Sequence, residues 1–76
     1  SALTLKMLPL RFDMLLREVL GEFSDLFEEK EIALSADTIE SARVSGNKDS
    51  LHRMIANLLE NALNYTEKGG QVKVSL

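Results

Sequence analysis

Asn57-Leu58-Leu59-Glu60-Asn61-Ala62-Leu63-Asn64-Tyr65 is the stretch around which this chain is organised. Asn57, Asn61 and Asn64 recur at i, i+4 and i+7, which stacks them along one side of a helix. Leu51, Ile55, Leu58, Leu59 and Ala62 fall on the opposite side, where a core would bury them. Asparagine is a poor helix former because its amide competes for backbone groups. Three on one stripe predict a surface that hydrogen-bonds something. An amide oxygen can ligate Mg²⁺ without adding charge, while its NH₂ donates to phosphate oxygens. Asp or Glu at both Asn57 and Asn61 would bind the metal but repel the phosphates. A solvent-facing polar stripe fits the same spacing, and spacing alone leaves both readings open.

Working outward, the helix is predicted from about residue 50 to 65, capped by Asn47, Asp49 or Ser50. Residues 66–70 form a turn, with Gly69-Gly70 as the strongest breaker in the chain and read as a hairpin turn. Residues 71–76 alternate Val72, Val74 and Leu76, a strand. On the other side, residues 31–36 turn Ile32, Leu34 and Ala36 inward, and residues 41–46 repeat the pattern with Ala42 and Val44. With a turn at 37–40, those two segments predict a hairpin-like pair. Before them, Leu15, Leu16, Val19, Phe23, Leu26 and Phe27 recur at three and four, an amphipathic helix over residues 14 to about 30 with Asp13 as N-cap and Phe12 on the same core. Residues 3–10 alternate loosely, and Pro9 suits an edge strand. The order (β)-α-β-β-α-β predicts an α+β fold, a two-layer α/β sandwich with helices covering one face of a mixed sheet.

Composition narrows the function classes. At 76 residues the chain is at most one domain, and its stability should be marginal. It has no cysteine, which removes disulfides and thiolate metal sites. A net charge of −3 argues against nucleic acid, which wants a basic face, but not against a nucleotide that brings Mg²⁺ with it. No stretch approaches the roughly 20 apolar residues of a membrane span, and no secretory signal pattern opens the chain.

Rival sites are weaker. His52, the single histidine, sits between the amide stripe and the apolar face with no nucleophile near it in the motif. Met7, Met14 and Met54 are read as core fillers. Glu28-Glu29 is a solvated helix end in preference to a metal site. Tyr65 could pack against a base or cap the core. No helix follows Gly69-Gly70 to present its N-terminus to a phosphate, and neither a Walker lysine motif nor a paired-carboxylate arrangement is present.

Residues 10–76 as a whole resemble the ATP-binding catalytic domain of sensor histidine kinases, of the Bergerat-fold (GHKL) superfamily. The likeness runs through Phe12-Asp13-Met14-Leu15-Leu16-Arg17-Glu18-Val19, Lys30-Glu31-Ile32-Ala33-Leu34 and Asn47-Lys48-Asp49. It is strongest at Asn57 to Thr66, which looks like the family's N box, followed by Gly69-Gly70-Gln71-Val72-Lys73-Val74. The resemblance implies an ATP and Mg²⁺ site in the intact parent domain. Asn61 would be the metal ligand and Asn57 the contact to phosphates or to the metal's water shell. Tyr65 would lie near the sugar and base. Asn64 stands where many members carry a lysine or arginine for the phosphates, so its contact departs from the pattern. In the ATP-hydrolysing members the position of Asn57 holds a glutamate general base; an amide cannot take a proton from water, which fits a kinase. The family's Asp-x-Gly-x-Gly segment, ATP lid and phosphoacceptor histidine domain are absent from these residues. The expectation is a cytoplasmic N-terminal half-domain, inactive alone, whose parent serves a phosphoacceptor helix domain and a response regulator and is open to membrane anchoring. The alternative is a non-catalytic fragment that forms a homo-oligomer through an exposed sheet edge along residues 71–76.

Overall fold

The computed structural model describes residues 7–36 and 39–75. Its elements are β1 (Leu8–Arg11), α1 (Phe12–Glu29), β2 (Ala33–Ala36), β3 (Arg43–Gly46), α2 (Lys48–Tyr65) and β4 (Gln71–Val74). This is the expected α+β order. Of the segments read from sequence, Leu3, Leu5, Asp37, Thr38 and Leu76 lie outside the described residues.

The pairing differs from the sequence expectation. β2 and β3 do not form a hairpin: β3 runs antiparallel to β1, with Leu10 opposite Val44, and β2 runs parallel to β4, with Leu34 opposite Val72. The strands make two two-stranded ladders where one mixed sheet was expected. The cause lies at the strand entries. Phe12 N donates to Ala42 O at 2.9 Å, which draws the start of β3 to the β1–α1 junction. Ala33 N donates to Gly70 O at 3.0 Å, which draws β2 to β4 instead. Parallel strands need a long crossover, and α2 lies within it. Gly69-Gly70 is accordingly a helix-to-strand turn and not a hairpin turn; Gly69 has φ 87°.

The core is mostly α1. Leu15, Leu16, Val19, Leu20 and Phe27 are buried, with Val19 and Phe27 fully so, and they meet Ile32 and the α2 residues Ile55 and Leu59. Leu20 completes the stripe four residues after Leu16. Met7, Met14 and Met54 are not core fillers: they are 56%, 58% and 46% exposed, Met7 just ahead of β1, and Met14 and Met54 off the arcs that the two helices turn toward each other. Leu26 is exposed for the same reason, at the edge of the α1 stripe.

Asp13 is not the cap of α1. The helix starts two residues earlier than expected, at Phe12, with Arg11 as N-cap and no side-chain cap bond. Asp13 is instead a buried tie: its carboxylate accepts from Arg11 Nη2 at 2.7 Å, Arg11 Nε at 3.1 Å and Ala42 N at 3.1 Å. The Arg11 guanidinium bonds, then the Ala42 N–H, pull the Asp13 pKa from 3.8 down to about 2. For α2 the capping expectation holds: Asn47 Oδ1 accepts from Ser50 N at 2.9 Å, and the helix begins at Lys48.

Candidate functional site

The amide row stands where the period of 3.6 puts it. Ile55 and Leu59 are buried against α1, so the opposite side of α2 is forced outward, and Asn57, Asn61 and Asn64 are all exposed. None of the three amides hydrogen-bonds within the chain among the described residues, so each presents its carbonyl and NH₂ outward. Leu58 does not join the buried side as expected; it is 62% exposed, one row over from the amides together with Met54. Tyr65 ends the helix at 86% exposure and does not cap the core.

Beside the amide row, rather than beneath it, runs an open groove of about 400 Å³ between α2 and β4. Met54, Leu58 and Ala62 form one wall, Val72 and Val74 the other, and Phe12 and Leu16 lie among the lining residues. The amides do not line this groove. α2 thus presents polar hydrogen-bonding groups on its outer face and an apolar trough along its flank. A ligand with a charged end and a flat apolar end suits such a juxtaposition better than a wholly polar one.

The C-terminal end of α2 is held at several points. Thr66 N donates to Ala62 O, Gly69 N to Glu31 O at 2.9 Å, and Gly70 N to Glu67 O at 2.9 Å. The Lys30 ammonium donates to Leu63 O across 33 residues of sequence. A Cβ at Gly70 would lie 2.9 Å from Glu67 O, so glycine is what lets this turn close. Elsewhere His52 Nε2 lies 2.9 Å from Glu22 Oε2, a link between the helices with no nucleophile attached. Sequence reading did not find Lys30. It stands at the end of a helix, next to an acidic residue, and nothing in its spacing points to a carbonyl on another element.

As to metal, no group of three or more His, Cys, Asp or Glu side chains gathers among the described residues. Mg²⁺ needs no such cage when phosphate oxygens and water fill most of its shell, and a neutral amide oxygen fits the remaining position. The donor set of Asn57 and Asn61 is therefore suited to a metal that arrives with a phosphate ligand.

No family model matches the chain. Over 64 residues it is 34% identical to the adaptive-response sensory kinase SasA of Rippkaea orientalis, which covers 83% of this chain and 16% of that kinase. Its fold superposes on the nucleotide-free catalytic domain of histidine kinase ThkA with a TM-score of 0.86 at 22% identity, covering 93% of this chain and 49% of that one. The cytoplasmic segment of histidine kinase QseC gives 0.87 at 21% identity, covering 93% and 48%. The chain belongs to the histidine kinase catalytic-domain family. The chain spans about half the length of these structures and 16% of the sensory kinase. No helix among the described residues is long and apolar enough to cross a membrane.

Proposed function

We propose that this chain supplies the N-box half of the ATP-binding site in a sensor histidine kinase that transfers phosphate from ATP to a histidine. The observation that carries the reading is the row of exposed amides without intramolecular partners, on a chain whose fold is that of a histidine kinase catalytic domain. Asn61 offers its carbonyl oxygen to Mg²⁺, and Asn57 reaches the phosphates or the metal's water. Mg²⁺, when bound, supplies the charge that draws the phosphates together. Asn57 and Asn61 add none, so the site does not repel a triphosphate. With an amide at Asn57 no side chain there can deprotonate water, which spares ATP for transfer. Asn64 donates NH₂ without a charge, and Tyr65 offers its exposed ring to the sugar or base. In the intact parent the partners are ATP, a phosphoacceptor histidine domain and a response regulator, with this domain in the cytoplasm.

Taken alone, the chain binds Mg-ATP weakly and transfers nothing, because the amide row borders an open groove instead of closing over a ligand. Titration with Mg²⁺ and a non-hydrolysable ATP analogue, followed by NMR of the side-chain amides, tests this. The expected result is a millimolar, Mg²⁺-dependent response at Asn61 and Asn64 that Asn61→Ala removes. Micromolar affinity would reject the half-site reading, and an unaltered response in Asn61→Ala would reject the metal-ligand role.

A second reading has its own observation. β4 pairs on one edge only among the described residues, and the apolar groove runs along its flank. Two copies could join there. Light scattering across a concentration series should show association, and a strict monomer would remove this reading.

A further inference from the structure

The geometry points to Lys30 as a positioning residue for the nucleotide site, acting through the carbonyl of Leu63; this rests on the nucleotide reading of the amide row given above. α2 ends at Tyr65, and Thr66 N closes on Ala62 O. The next carbonyl, Leu63 O, belongs to the last turn, whose carbonyls lose their intrahelical donors once the chain leaves the helix. Lys30 fills that place: its ammonium reaches from the end of α1 and donates to Leu63 O in a half-buried contact. A cation at a helix C-terminus also meets the negative end of the helix dipole, so charge and hydrogen bond act together.

The backbone beside Lys30 serves the same junction. Glu31 is the one non-glycine residue with positive φ among those described, at 59°, and its carbonyl accepts from Gly69 N at 2.9 Å. Ala33 N then donates to Gly70 O, so residues 30–33 grip both the final turn of α2 and the turn after it. Asn64 and Tyr65 follow Leu63 directly, and Asn61 precedes it by two residues. The direction in which these side chains leave the helix depends on the last turn staying helical. Helix ends fray readily without a partner for their carbonyls. A binding constellation tolerates only about 0.5 Å of misplacement before affinity falls. Lys30 touches neither metal nor phosphate in this account; it holds the turn that aims Asn61, Asn64 and Tyr65.

The test uses this chain with the Mg²⁺ and ATP-analogue titration described above. Lys30→Met keeps the aliphatic stem but removes donor and charge, and should weaken the apparent affinity about fivefold to tenfold. Lys30→Arg keeps donor and charge and should bind within about twofold of the parent. Ile32→Val loosens the packing of the same junction without touching Leu63 O, and should also stay within about twofold, though its thermal midpoint falls. If Lys30→Met does not fold, Lys30→Gln carries the arm, with a smaller loss expected in the same direction. Unchanged affinity in Lys30→Met or Lys30→Gln, no recovery in Lys30→Arg, or an equal loss in Ile32→Val would overturn the role of Lys30 while the nucleotide reading stands. If the parent chain shows no Mg²⁺-dependent response at millimolar ligand, the nucleotide reading fails first and this inference falls with it.

Discussion

The two helices are each 18 residues long and amphipathic, yet they do opposite jobs. α1 buries six residues, among them the polar Asp13, whereas α2 buries only Ile55 and Leu59. α1 is therefore the body of the core, and α2 is a rail laid on it with two anchoring points. The difference teaches how a short chain can carry an exposed row of amides. Stability is drawn from one helix, so the other is free to place poor helix formers and exposed apolar residues on its surface. An asparagine row would be costly on the packed face of either helix; on the exposed side of α2 it costs only helix propensity, because nothing covers it.

Leucine-to-alanine changes on the two helices should break this contrast if it is wrong. Leu16→Ala, at a residue 6% exposed, should cost roughly 2–5 kcal/mol, enough to unfold much of a chain of this size. Leu58→Ala, at a residue 62% exposed, should change stability by less than about 0.5 kcal/mol. Urea unfolding of both variants checks the pair, and equal losses would mean that α2 is as much core as α1.

A middle-sized effect should come from Asp13. Its carboxylate has a lower pKa in the folded chain, about 2 against an ordinary 3.8, so the charged form is favoured by folding. That contribution is complete above about pH 3.8 and is lost as pH falls through about 2. In Asp13→Asn this part of the acid dependence should vanish, leaving a chain less stable at neutral pH and flatter between pH 4 and pH 2. Circular dichroism at a fixed urea concentration across that range shows it. The smallest effect belongs to the amide row: Asn61→Ala should move the unfolding midpoint little or slightly upward, since alanine is the better helix former and no intramolecular bond is lost. A clear destabilisation would mean that the row is structural.

Much of this was legible before any coordinates. The 3.6-residue period set both helices to within two residues at each end, and the exposed face of α2 followed from the burial of Ile55 and Leu59. The cap of α2 was narrowed to Asn47, Asp49 or Ser50 because a capping side chain lies within three residues of its partner, and the structure selects Asn47 among them. Met14 and Met54 were misjudged because apolar character alone does not say which side of a helix faces its neighbour.

What the sequence determined by itself is mostly local: which segments are helical or extended, and which residues of the amide helix share a side. Only the tertiary structure decided which strand lies beside which, that Asp13 ties two elements instead of capping one, and that Lys30 closes the far end of α2. The physical reason is range. Periodicity and capping are settled within one or two turns of chain, whereas strand partners and a lysine bonded 33 residues away depend on which surfaces meet after the core has packed.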